Sequence, residues 1–164
     1  VSIPENLAQI DLFTNLTPDQ LTQVYAICKE VTHYQGELIL AENEPGREFY
    51  IILKGKIEIQ VDPAMVSKDA PRYEPVTISI LREGQSFGEI ALVDQGVRSA
   101  SARCSTRTCK LLAINRDDFM DLLIKNPDIG FIVMYNLAEE LCFKIRQTNL
   151  NLREALLSAT RFKK

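Results

Sequence analysis

Between Val31 and Ile114 the chain is cut into short apolar or alternating runs: Glu37–Leu40, Phe49–Leu53, Lys56–Val61, Val76–Leu81, Ser99–Cys104 and Cys109–Ile114. Turn residues separate them at Gln35-Gly36, Pro45-Gly46, Lys54-Gly55 and Glu83-Gly84. Many short strands with regular turns predict an antiparallel roll or barrel. The loop Asp62–Pro75, with three prolines and mixed charges, reads as a mobile hairpin tip.

Helices flank this region. Thr17-Pro18-Asp19-Gln20 carries a helix start: Thr17 as N-cap, Pro18 at the first position and Gln20 three residues after the cap. Leu21, Val24, Ile27 and Cys28 form one apolar face of a helix ending near Glu30. Asn115 caps a short helix over Arg116–Lys125 that stops before Asn126-Pro127. A long helix follows, roughly Asp128 to Ser158, spanning about 45 Å. The expected division is a helical segment over 1–30, a β-roll over 31–114 and helices over 115–164.

In the long helix Phe131, Met134, Ala138, Leu141, Ile145, Thr148, Leu152 and Ala155 step alternately by three and four. That is a heptad seam. A helix packed on its own domain also shows an apolar stripe. The helix is longer than a small roll is wide, and polar Thr148 suits a register-setting position, so a homodimer is expected.

Hydrophobic residues make up 46% of the 164-residue chain, enough for a core without disulfides or metal. The net charge of −3 and scattered cations, clustered weakly at Arg161, Lys163 and Lys164, argue against nucleic acid as a partner. No apolar run reaches the length of a membrane span, and Val1–Leu12 lacks the marks of a signal peptide. Cys28, Cys104, Cys109 and Cys142 show no metal-ligand spacing and read as buried free thiols, which predicts a cytoplasmic location and no metal. Asn15-Leu16-Thr17 is a chance glycosylation match.

The segment Phe87-Gly88-Glu89-Ile90-Ala91-Leu92, with Arg98-Ser99-Ala100 after it, carries the chemistry. Gly88 lets backbone approach a ligand, and a short helix after it offers unpaired N–H groups. The Arg98 fork can hold two phosphate oxygens, worth roughly 1.5–3 kcal/mol. A carboxylate accepts hydrogen bonds only, so Glu89 suits a ribose 2′-hydroxyl. One phosphate charge, one hydroxyl and one arginine describe a cyclic nucleotide; a triphosphate would call for a lysine-bearing phosphate loop, and the chain has none. Taken singly, Gly88 is a turn glycine, Glu89 a helix N-terminal acid and Arg98 a surface residue.

Gly84-Gln85-Ser86-Phe87-Gly88 also matches the hydrolase nucleophile elbow. That motif needs a parallel sheet and a later histidine, and the single histidine, His33, comes first. His33 reads as packed or hydrogen-bonded, and no catalytic residue is expected.

The segment Phe87–Leu92 with Arg98–Ser101 resembles the phosphate-binding cassette, over 84–101, of the cyclic nucleotide-binding domain family. Tyr34-Gln35-Gly36-Glu37-Leu38-Ile39 and Glu44-Pro45-Gly46-Arg47-Glu48-Phe49 through Gly55 resemble its two glycine turns. The cassette spacing is nearer the kinase and channel branch than the catabolite activator. The resemblance implies an eight-stranded antiparallel β-roll with N-terminal helices and a long C-terminal helix. It implies that Arg98 holds the phosphate of cAMP or cGMP and Glu89 the ribose. Gly88, Ile90 and Ala91, with the Ser99 hydroxyl and Ala100 amide, would complete the cassette, and the last helix would cover the base.

The catabolite activator reads adenine with a Thr-Ser pair on that helix. Lys144-Ile145 stands there in this chain, leaving Arg146, Thr148 and Asn149 as polar candidates, with Thr148 reaching in from a partner chain. The expected role is a regulatory sensor needing no cofactor beyond its nucleotide ligand. It would stand alone or be excised from a transcription regulator, channel, kinase or enzyme. The alternative is a dimer module that has lost its ligand, against which intact Glu89 and Arg98 speak. No helix-turn-helix follows the seam, so this stretch is not expected to bind DNA.

Overall fold

The computed structural model describes residues 7–63, 74–93 and 96–161. The interior of the proline-bearing loop read as a hairpin tip, Ala91 and Leu92 beyond their backbone, and Lys163 and Lys164 lie outside what is described.

Two four-stranded sheets form the roll. Strands β1 (Cys28–Tyr34), β8 (Thr108–Asn115), β3 (Glu48–Lys54) and β6 (Ser86–Phe87) make one, in the order β1-β8-β3-β6. Strands β2 (Leu38–Leu40), β7 (Ser101–Cys104), β4 (Ile57–Val61) and β5 (Val76–Leu81) make the other, in the order β2-β7-β4-β5. The strand pairings within both sheets are antiparallel. Between the sheets Ile52, Ile57, Ala102, Cys104, Cys109 and Leu111 are buried, because alternate residues of each strand point inward.

Among the described residues four α-helices accompany the sheets: α1 (Pro18–Ala26), α2 (Ile90–Val93), α3 (Arg116–Lys125) and α4 (Pro127–Arg161). Helix α1 starts with the expected capping box, in which Thr17 and Gln20 exchange bonds between side chain and backbone. Helix α3 starts at the Asn115 side chain, which accepts from the N–H groups of Asp117 and Asp118. Helix α1 ends at Ala26, short of the expected Glu30, because Cys28–Tyr34 is a strand. It pairs with β8 along its whole length, Cys28 opposite Ile114 and Tyr34 opposite Thr108.

A second core joins the helices to the outer face of the first sheet. Leu7, Ile10, Leu12 and Phe13, on and between two short 3-10 turns, bury against Phe49, Ile51, Leu112 and Phe119. From α4, Ile129, Val133 and Leu137 complete it. Asn136 donates from Nδ2 to the carbonyls of Leu12 and Thr14, pinning the start of the chain to α4.

This buried stripe of α4 is distinct from the heptad seam. Phe131 (73% exposed), Ile145 (60%) and Leu152 (57%) lie outside the core, and among the described residues only Leu141 of the seam packs against it. The expectation of buried cysteines needs correction at two sites: Cys142 is exposed on α4 and Cys28 only partly covered. Among the described residues no helix is long and apolar enough to cross a membrane, and no cluster of His, Cys, Asp and Glu could hold a metal.

Candidate functional site

The turn between β6 and α2 places Gly88 at φ +78°, in the left-handed region that glycine enters without strain. That turn aims Glu89 inward, where it is 4% exposed. Arg98 is held by backbone on both sides: its N–H donates to the Glu44 carbonyl, and its own carbonyl accepts from the Asn43 N–H. Its guanidinium is buried beneath the cassette and donates from Nη1 to the Gly88 carbonyl at 3.0 Å and from Nη2 to the Glu48 carbonyl at 2.5 Å. These bonds use one N–H of each Nη out of five on the group. Burial pulls the Arg98 pKa down, while Tyr50, Glu48 and Glu89 nearby oppose that shift.

Gly46 gives the guanidinium its room. A Cβ there would fall 2.0 Å from Arg98 Nε and 2.1 Å from Cζ, well inside atomic contact. Glycine at 46 thus serves the arginine, not the backbone.

Glu89 meets a cation from α4. Lys144 Nζ donates to Glu89 Oε1 at 2.6 Å and lies 2.8 Å from Glu140 Oε1. Ser86 Oγ in turn donates to the Glu140 carboxylate at 3.1 Å. Burial lowers the Lys144 pKa, but the two carboxylates outweigh it and leave the ammonium above its ordinary value. Ser86 is therefore spent on a carboxylate, and His33, on β1, bonds Glu37 at 3.1 Å. The hydrolase pattern at Gly84–Gly88 has no histidine at its serine.

Between the cassette, the β4–β5 sheet face and α4 lies a cavity of about 850 Å³, within the range of small-molecule sites. Of the residues singled out from sequence, it is lined by Gly88, Glu89, Ile90, Arg98, Ser99, Ala100 and Thr148. Ser99 and Ala100 precede strand β7 and belong to the cassette loop, not to a strand as their alternation suggested. Ala91 sits in α2. Arg146 and Asn149, exposed on α4, are not among its lining residues. Phe143, Lys144, Gln147, Asn151 and Leu152 line it from α4 instead. Their spacing of three and four was available in the sequence as a helix face. The face that meets the cassette depends on how α4 docks. Leu40, Ile59, Ile78, Leu81 and Phe87 supply an apolar wall.

The sequence profile of the cyclic nucleotide-binding domain family matches residues 30–126, and the chain belongs to that family. It is 27% identical over 154 residues to the CRP-like cAMP-activated global transcriptional regulator of Mycobacterium tuberculosis, covering 94% of this chain and 63% of that one. It is 33% identical over 114 residues to human cGMP-dependent protein kinase 2, covering 69% of this chain and 14% of the kinase. The crystal structure of the Thermus thermophilus catabolite activator protein superposes with a TM-score of 0.72 at 30% identity, covering 90% of this chain and 63% of that one. The chain thus spans less than two thirds of the length of these relatives.

Proposed function

We propose that this cyclic nucleotide-binding domain is a sensor that takes cAMP or cGMP into the cavity between the cassette and α4. Arg98 holds the cyclic phosphate with the N–H groups its two carbonyl bonds leave over. Glu89 accepts the ribose 2′-hydroxyl on Oε2, since Lys144 occupies Oε1. Backbone at Gly88, Ile90 and Ala91, with Ser99 and Ala100, completes the cradle. The purine lies against the apolar wall, and Gln147, Thr148 and Asn151 of α4 reach its polar edge. The observation that carries this reading is the burial of one arginine and one carboxylate at the rim of a single cavity. Opposite charges buried together in a cleft of this size mark a functional-site candidate.

Occupancy passes to α4 through the Lys144–Glu89–Glu140 contacts, which tie the helix to the cassette. A second copy of the chain covers the exposed seam of α4, making a homodimer. The exposed positions Phe131, Met134 and Ile145 support this, because the domain's own core does not use them.

Thermal unfolding with and without ligand tests the reading. A ligand at 100 times its Kd stabilises the folded state by about 2.7 kcal/mol. Millimolar cAMP or cGMP should therefore raise the melting temperature clearly, and linear 5′-AMP should not. Equal shifts with the linear and cyclic compounds would mean that the cassette does not recognise a cyclic phosphate.

A further inference from the structure

We propose that Cys104 and Cys109 are a disulfide-forming pair, cross-linking the end of β7 to the start of β8. Their sulfurs lie 2.7 Å apart in the buried space between the two sheets. Non-bonded carbon-sized atoms settle at about 3.5–4.0 Å, and sulfur is larger. A disulfide bond is about 2.03–2.05 Å long, so the pair stands nearer to bonding distance than to ordinary contact. The turn Ser105–Thr108 sets this approach. Thr106 Oγ1 donates to the Thr108 carbonyl and lies 3.3 Å from Cys109 Sγ, and Cys104 Sγ lies 3.2 Å from the Thr106 carbonyl. Cys109 Sγ also donates to the Lys56 carbonyl at 3.2 Å, so both side chains already point into one small space.

Strand β7 belongs to one sheet and β8 to the other. The bond therefore joins the two sheets of the roll. It also ties the strand that leaves the cassette to the strand that leads into α3.

The reaction needs a small disulfide of the glutathione type as oxidant. One cysteine thiolate attacks a sulfur of that disulfide and expels a thiolate, which takes up the proton the cysteine gave. The second cysteine, deprotonated in turn, attacks the protein sulfur of the mixed disulfide and releases the second small thiol. Two cysteine thiols are oxidised, and one small disulfide is reduced to two thiols. Burial, and after it the contact with Cys109, pushes the Cys104 thiol up to about 12, so thiolate is scarce in the closed fold. Exchange therefore proceeds during folding or when the hairpin opens, and the closed fold then shields the bond from reductant.

The test is to refold the full chain in a mixture of oxidised and reduced glutathione, denature it, alkylate it with N-ethylmaleimide and weigh it. The expected product carries maleimide on Cys28 and Cys142 only and is lighter by the two lost hydrogens. Trypsin cuts after Arg103, Arg107 and Lys110, so the peptides Cys104–Arg107 and Thr108–Lys110 stay together only through the disulfide. Cys104→Ser and Cys109→Ser should each abolish that joined pair. Maleimide on all four cysteines, a cross-link through Cys28 or Cys142, or glutathione left on Cys104 or Cys109 would each overturn the proposal.

Discussion

Lys144 Nζ on α4 sits 2.6 Å from Glu89 Oε1 in the cassette, and this contact joins the helix that would report occupancy to the carboxylate that would read the sugar. With Glu140, the cluster carries two carboxylates and one ammonium. Removing the ammonium leaves two facing carboxylates beside the space for an anionic ligand. The loss is expected to be about 1–3 kcal/mol, below that of a fully buried pair because the Lys144 side chain is one third exposed. Lys144→Met should lower stability by that amount and weaken cyclic nucleotide binding about tenfold. Adding Glu140→Gln should recover part of both. Denaturant titration and calorimetry measure the two effects. Tighter binding by Lys144→Met would mean that the ligand displaces Lys144 instead of sharing Glu89 with it.

Gly46 offers a way to move Arg98 without touching its chemistry. Its backbone lies outside the positive-φ set, so alanine costs little there, yet its Cβ would fall on the guanidinium. Gly46→Ala should weaken cyclic nucleotide binding at least tenfold. In an Arg98→Ala background the same change should have almost no further effect, because the two changes act on one group. Additive losses in that double-mutant cycle would remove Arg98 from the explanation.

The alkaline side of the stability profile follows from groups that the fold raises, among them Tyr50, pushed up by burial and its bond to Glu48. Burial raises Cys28, and in the reduced protein Cys104, from an ordinary 9.0 to about 12, which favours the neutral thiol in the fold. For a raised group, stability is complete below the unfolded pKa and is lost as pH rises toward the folded one. Lys144 is also raised, its two carboxylates outweighing its burial, and its share is lost at still higher pH. The urea midpoint should stay level from pH 7 to 9 and then fall, with Cys28→Val flattening the first part of the decline. A midpoint level through pH 11 would contradict these environments.

The exposed seam of α4 predicts concentration-dependent dimerisation. Ile145 and Leu152 are more than half exposed, so Ile145→Glu with Leu152→Glu should give a monomer whose unfolding midpoint stays close to that of the wild-type monomer. Thr148→Ile should tighten the dimer. Sedimentation velocity across a hundredfold concentration range measures both. A wild-type chain that is monomeric throughout would leave the seam without a second copy.

Local signals could be read directly from the residues. The Thr17–Gln20 box, the Asn115 cap and the run Val76–Leu81 mark their elements without reference to distant parts of the chain. Strand β1 could not be read this way. Its first residues, Cys28 to Glu30, continue the preceding helical pattern, and their strand form comes from pairing with β8, some eighty residues away. The cassette was legible because Gly88, Glu89 and Arg98 lie close in sequence. Lys144 was not, since one lysine on a long helix gains meaning only from the docking of that helix, which Leu7–Phe13 and Asn136 help to fix.

The central claim is that Arg98 captures a cyclic phosphate in the cavity under α4. Calorimetric titration of cAMP and cGMP into the wild-type chain and Arg98→Ala tests it most directly. The wild type should bind at least one of them with one site per chain. The variant should lose about 1.5–3 kcal/mol, or roughly ten- to a hundredfold in affinity, while keeping its fold. Equal affinity in both proteins, or no heat with either nucleotide in the wild type, would contradict the account.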